Sequence, residues 1–293
     1  MDRRQVARRF SRAAAGYSTG DFLAREIDRR MAERLDYVRL EPRRILDLGC
    51  SRGGSFTHLQ QRYPQAALYG VDLALPMLQG WKPKPSLPRA LWRRWLGSEA
   101  QVPRPVLADV AQLPFQAASF ELVWSNLLLH WLEHPLPVFA EASRSLTPGG
   151  LFMFTTLGPD SLHELRAAFA DGAAHTQRFT DMHDLGDMLL EAGFADPVVD
   201  MEKITLTYDT LDALFADLRA AGSSCAMTAR RHGLFTPRRL AAVKAAYESA
   251  RLAGKLPATF EVVYGHAWKG EAKVDARGDK VIRFMAKDAF GRP

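Results

Sequence analysis

The sequence predicts an α/β fold, a mostly parallel sheet with helices on both faces. Three observations carry that prediction. A buried-type strand at 43–48 (RRILDL) runs into a Gly-rich turn and then a helix. Strands and helices alternate from there to about residue 156, the pattern of right-handed β-helix-β crossovers. Polar clusters also recur at the carboxyl end of each predicted strand, where an open parallel sheet binds its ligand.

Each element has a local reason. Residues 5–37 carry Phe10, Tyr17, Phe22, Ile27, Met31 and Leu35 at loosely helical spacing, with Gly16 and Gly20 as breaks, which predicts one or two helices before the sheet. After the first strand come the turn 49–54, a helix at about 55–62 and a strand at 67–71 ending on Asp72. The Pro- and cation-rich stretch 81–105 reads as an irregular excursion before a short strand into Ala108 and Asp109. A strand at 120–125 (FELVWS), a helix at about 135–146, the turn TPGG and a strand at 151–156 (LFMFTT) follow. Beyond Asp160 the pattern predicts helices at 160–171 and 181–192, the extended run PVVDMEKITLTY, helices at 211–221 and 236–253, and a last strand at 259–264 (TFEVVY).

Composition narrows the class of protein. With 293 residues, 47% of them hydrophobic, the chain can bury a core without cross-links. Cys50 and Cys225 form no CxxC or Cys/His cluster, so neither a disulfide framework nor a metal site is expected, and a reducing cytoplasm fits. No run is long and apolar enough to span a membrane, and the Arg-rich start lacks the apolar core of a secretory signal. The net charge of +6 concentrates at Arg3, Arg4, Arg8, Arg9 and Arg12 and at Lys82, Lys84, Arg89, Arg93, Arg94 and Arg104, patches that suit an acidic partner or simply a solvated surface. No internal repeat or linker divides the chain, so a single domain over 1–293 is expected.

The ligand-binding constellation has four parts. Asp47-Leu-Gly49-Cys-Ser-Arg-Gly53-Gly54 joins strand to helix, so the backbone can approach a ligand with the helix N-terminus behind it. Asp72, with Leu73 beside it, lies 23 residues after Gly49, close to the spacing at which a carboxylate accepts from two ribose hydroxyls. Asp109-Val-Ala-Gln-Leu-Pro-Phe115 ends the third strand and Ser125-Asn126 the fourth. Each aspartate taken alone could be a strand-end cap; four such clusters on consecutive strands indicate a nucleotide site.

These residues resemble the class I S-adenosylmethionine (SAM)-dependent methyltransferases over about 43–156: an acidic residue opening a Gly-rich turn, an acidic residue after the second strand, a D-x-x-x-L-P-F segment, and PGG before the fifth strand. The resemblance implies a Rossmann-like sheet and SAM as cofactor. It implies that Asp47, Gly49, Ser51 and Gly53 border the methionyl end, Asp72 and Leu73 the ribose, Asp109 and Val110 the adenine, and Ser125 and Asn126 the sulfonium. Ser51 stands where the family usually has glycine, and Arg52 beside it is also unusual. A nicotinamide dinucleotide is the rival ligand, but Ser51 spoils that fingerprint too, and the D-x-x-x-L-P-F and PGG segments are not part of it.

A narrower resemblance, to the malonyl-acyl-carrier-protein O-methyltransferases of biotin synthesis, covers nearly the whole chain. Its residues are Phe10-Ser-Arg-Ala-Ala-Ala-Gly-Tyr17, Ser125-Asn-Leu-Leu-Leu-His-Trp131, Thr155-Thr-Leu157, Ser161-Leu-His-Glu-Leu-Arg166, Phe179 to Met188, Ala192-Gly-Phe194, and Glu261 to Trp268. The resemblance divides the domain into a helical lid (1–40), a SAM-binding core (43–156) and substrate-side helices with final strands (157–293). A malonyl carboxylate, carried on acyl carrier protein or on CoA, is already ionised at neutral pH and needs positioning rather than a general base. Arg166 is the first candidate to grip it, with Tyr17 as a hydrogen-bonding lid residue and His175 third. Trp131 reads as packing, and His130, where the family commonly shows glutamine, receives no catalytic role.

The implied partner is an acidic acyl carrier protein steered by one of the basic patches, acting on a cytoplasmic monomer without stable nucleic-acid or membrane contacts. Four other functions compete. A hydroxylase-like complex I assembly factor would share the preface and tail, and a degenerate SAM-fold scaffold would explain Ser51 and Arg52. Quinone or sterol methyltransferases match through the SAM half alone. A nucleic-acid methyltransferase would need an Asn/Asp-Pro-Pro-aromatic tetrad where the chain reads Ser125-Asn-Leu-Leu128.

Overall fold

A computed structural model describes residues 1–81, 103–169, 171–230, 233 and 235–270. Most of the 81–105 excursion, with Lys82, Lys84, Arg89, Arg93 and Arg94, therefore lies outside the described residues, and of its cations only Arg104 is described.

Three helices precede the sheet. Helix α1 (Arg3–Ala13) starts where the Asp2 carboxylate accepts from the Gln5 amide at 3.2 Å, a side-chain N-cap. The short α2 (Tyr17–Gly20) and α3 (Phe22–Glu33) follow, and a 3-10 turn, Arg34–Tyr37, leads to strand β1 (Arg44–Leu48). Then come α4 (Phe56–Arg62), β2 (Ala67–Asp72), α5 (Leu75–Leu78), β3 (Arg104–Leu107), β4 (Phe120–Ser125), α6 (Leu136–Ser145) and β5 (Leu146–Leu157). The chain continues through α7 (His163–Ala168), α8 (Met182–Glu191), β6 (Phe194–Tyr208), α9 (Leu211–Ala220), α10 (Pro237–Glu248) and β7 (Leu256–Lys269).

These strands form one seven-stranded sheet of order β3-β2-β1-β4-β5-β7-β6. Strands β1 to β5 pair in parallel, and β7 runs antiparallel between β5 and β6. Alternation along the strands sorts the core into two layers. Ile45, Leu122, Trp124 and Met153 face Ile27, Met31 and Tyr247, whereas Leu46, Val123, Phe152 and Phe154 face Phe139, Leu185 and Leu189. Each fully buried side chain of this size contributes about 1.5–3 kcal/mol, so both faces are committed.

Three differences from the sequence-based expectation have physical causes. Strand β5 begins at Leu146, because Leu146 pairs with Phe120 and the TPGG segment continues the ladder through a bulge. Strand β7 extends from Leu256 to Lys269, well past 259–264, because it is hydrogen-bonded on both sides and buried for most of its length. The helix expected at 160–171 shrinks to His163–Ala168, since Leu162 sits at φ 55°, a left-handed conformation that no helix interior accepts.

Candidate active site

One cavity of about 950 Å³ runs along the carboxyl ends of the strands, roofed by α1 to α3. Its floor is the Gly-rich turn. The amides of Gly49 and Cys50 both donate to the Val71 carbonyl, at 2.8 and 3.1 Å, so β2 holds the turn in place. Gly49 takes φ 68°, and a Cβ there would meet the Leu128 side chain at 2.9 Å. Ser51 adopts φ 49°, so the serine takes the left-handed geometry that glycine would supply at no cost. Its amide donates to Asp72 at 2.9 Å, and its carbonyl accepts from Trp81 Nε1 at 2.9 Å.

Asp72 accepts from Ser51 through one oxygen and from the Ala74 amide through the other, at 2.8 Å. Burial raises its carboxyl above the usual range, and those backbone donors pull it back. Asp109 closes the far end of the floor: one oxygen accepts from the Ala111 amide, and the other meets Arg3 of α1 at 2.6 Å. Asn126 ties the roof to the sheet, donating to the Ala24 carbonyl at 2.9 Å and accepting from Thr155 at 2.6 Å.

Of the residues expected to hold the cofactor, Gly49, Ser51, Asp72, Leu73, Asp109, Val110 and Asn126 line the cavity. The other three stand behind its wall. Asp47 is buried under the turn near Ser55, and burial together with the nearby Asp28 raises its carboxyl well above the ordinary value. Gly53 lies against the Trp81 ring, and Ser125 is fully buried with its hydroxyl unpartnered among the described residues.

The substrate-side candidates separate similarly. Tyr17 lines the cavity among Asp21, Asp28 and Asp72, with its hydroxyl near Ser51; burial raises its pKa, so it remains a hydrogen-bond donor at neutral pH. His175 also lines it, stacked on Phe169 at 3.8 Å and bonded to Asp171 at 2.7 Å. Arg166 does not reach the cavity: its guanidinium folds back to donate to the Pro159 carbonyl at 2.6 Å and to the Ser161 carbonyl, bracing the turn after β5. His130 is buried beside Trp131 and Phe179, and burial lowers its pKa to about 3, so the ring is neutral.

Sequence reasoning missed Asp28, a buried carboxylate of α3 on the cavity wall. It also missed the apolar half of the chamber, made by Leu162, Leu165, Phe179, Leu206, Phe215 and Phe260. The one available signal for Asp28 was its place on the same helical stripe as Met31 and Leu35.

The donor set fits SAM. Carboxylates and a left-handed turn face a pocket that carries apolar lining for an adenine and a further chamber for an acceptor. Sheet order, turn and strand-end carboxylates together define a Rossmann-like methyltransferase. Residues 46–154 match the Methyltransferase domain family. The YcgJ protein of Bacillus subtilis shares the fold at a TM-score of 0.55 and 15% identity, covering 84% of this chain and 99% of that one.

The full-length comparisons are narrower. A malonyl-[acyl-carrier protein] O-methyltransferase of Gallionella capsiferriformans is 44% identical over 98% of both chains. One from Laribacter hongkongensis is 47% identical over 93% of this chain and 91% of its own. The chain belongs to the malonyl-[acyl-carrier protein] O-methyltransferase family. It is thus a methyltransferase, and its cofactor is S-adenosylmethionine.

Proposed function

We propose that the chain methylates the free carboxylate of a malonyl group carried on acyl carrier protein, the step that opens biotin (pimeloyl) synthesis. The observation that carries this reading is the single cavity in which the nucleotide turn and an apolar acceptor chamber adjoin. Relatives bearing that activity in their names align over nearly the full length, roof and chamber included.

SAM supplies, when bound, an electrophilic methyl on a sulfonium. Gly49, Ser51, Asp72, Leu73, Asp109, Val110 and Asn126 would hold it. The protein's remaining work is orientation and exclusion of water. A malonyl carboxylate is ionised at neutral pH and needs no base to be nucleophilic. Tyr17, kept protonated by burial, offers a hydroxyl to a carboxylate oxygen. His175, fixed by Phe169 and Asp171, presents a second polar group on the same wall. Arg166 serves by holding the 159–161 turn that shapes the chamber. Leu162, Leu165, Phe179 and Phe215 keep the reacting groups dry, which strengthens every polar contact among them. An acidic carrier would be drawn by the arginines of α1.

The test is a transfer assay with SAM and malonyl carrier protein, read as the acyl-protein's gain of one methyl and the appearance of S-adenosylhomocysteine. A folded protein that binds SAM but leaves the malonyl group unmodified would exclude this substrate.

A further inference from the structure

Asp28 is 3% exposed, yet it lines the cavity beside the Gly-rich turn. One of its oxygens, Oδ1, accepts from Ser55, just after the turn, at 3.0 Å and from Trp124 Nε1 of β4 at 2.9 Å. The other, Oδ2, lies 3.2 Å from His58 Nε2 of α4, a nitrogen that has no aligned hydrogen-bond partner. Among the described residues Oδ2 therefore lacks a well-directed donor, and its nearest cation is an imidazole charged only when protonated.

The other carboxylates on the cavity wall near the turn are already provided for. Asp72 takes two backbone amides and Asp109 takes Arg3, while Asp21 has no aligned hydrogen bond at Oδ1 among the described residues but lies 3.1 Å from Arg25 Nε, a permanent countercharge that Asp28 lacks. Asp47, the acidic residue of the turn itself, stands behind the wall. A buried carboxylate without a fixed countercharge is costly, and a bound cation removes that cost. The methionyl arm of the cofactor carries such a cation, its α-ammonium.

We propose that Asp28 receives the α-ammonium of the cofactor's methionyl arm, so that a residue of the helical roof, outside the nucleotide-binding core, completes the cofactor site. This rests on SAM being the cofactor. Burial, which raises the Asp28 carboxyl above its usual range in the free protein, agrees with a group that awaits a positive partner. Cofactor binding then fastens α3 to the sheet, because the carboxylate also holds Ser55 and Trp124.

Calorimetric titration of the wild type and Asp28→Asn with three ligands tests the assignment. The ligands are SAM, S-adenosylhomocysteine, and 5′-methylthioadenosine, which keeps adenine and ribose but lacks the amino-acid arm. The expected result is a loss of about tenfold or more for the first two and an unchanged affinity for the third. Equal losses for all three would make Asp28 a structural clasp only and overturn the proposal, as would no loss for any. Ser55→Ala is the companion variant: it removes a hydrogen bond to Asp28 but keeps the carboxylate, so it should lower the melting temperature without separating SAM from methylthioadenosine. Separation in that variant would assign the discrimination to Ser55. A wild type that binds methylthioadenosine but neither amino-acid ligand would overturn the ammonium site, and one that binds none would remove the cofactor reading beneath it.

Discussion

The two walls of the cavity are built on different principles. The floor, from Gly49 to Asn126, is fixed by backbone: amides donating to Val71 and Asp72, and strands paired in register on both sides. The roof, α1 to α3, is fixed by close packing, by side-chain bonds and by one backbone bond to segments far along the chain. Asp2 donates its amide to Ala226 at 3.1 Å, and a Cβ on Gly20 would meet the Ala221 nitrogen at 2.6 Å. A site assembled this way has a floor that tolerates little change and a roof that can vary with the acceptor.

The sharpest test of that contrast is Asp72→Ala. It removes two turn-fixing hydrogen bonds and the proposed ribose acceptor together, and calorimetry should show SAM affinity falling about 100-fold or more. Gly20→Val attacks the roof instead. The added side chain cannot share space with the 220–221 backbone, so stability should fall by about 2–3 kcal/mol by denaturant unfolding, and KM for the carrier substrate should rise. SAM affinity should change much less than in Asp72→Ala; an equal loss in both variants would show that floor and roof are one unit.

Between the walls, His130 adds an acid sensitivity. Its folded pKa is near 3, below the unfolded value of about 6.5. The unfolded chain therefore binds a proton that the native chain refuses, and stability drops as pH falls below about 6.5. At pH 5 the loss amounts to about 2 kcal/mol. His130→Gln should flatten melting temperature against pH over this range, and an unchanged slope would place the acid sensitivity elsewhere. The smallest effect is expected from Ser51→Gly, which relieves the left-handed serine and should raise stability by about 1 kcal/mol. A fall in SAM affinity in that variant would give the Ser51 hydroxyl a part in binding.

The floor was legible because its signals are local. RRILDL and FELVWS are short apolar runs ended by polar turns, and Asp72 and Asp109 follow their strands directly. Parallel pairing then brings consecutive strand ends together without further information. The roof was legible as helices but not as chemistry. Asp28 sits among Arg25, Glu26, Arg29 and Arg30 and reads as one more surface charge, since the partners that bury it, Ser55, His58 and Trp124, arrive from 27 to 96 residues away. Arg166 failed as a reach into the cavity for a similar reason. Sequence places it on the right helix, but the carbonyls of Pro159 and Ser161, freed by the left-handed Leu162, capture its guanidinium. Strand β7 was underestimated because Gly265 and His266 look like a strand end, and only its two flanking partners keep it extended.

The bond from Asp2 to Ala226 also sets an order of events during synthesis. The helices that roof the cavity leave the ribosome well before their docking surfaces around 220–226. Until then the apolar side of arginine-rich α1 is only partly covered, because Phe10 has Met77 and Trp131 to meet earlier but the cluster around Val6 still lacks Ala226. Such early exposed segments are where chaperones engage, and where a slow or misplaced closure is decided.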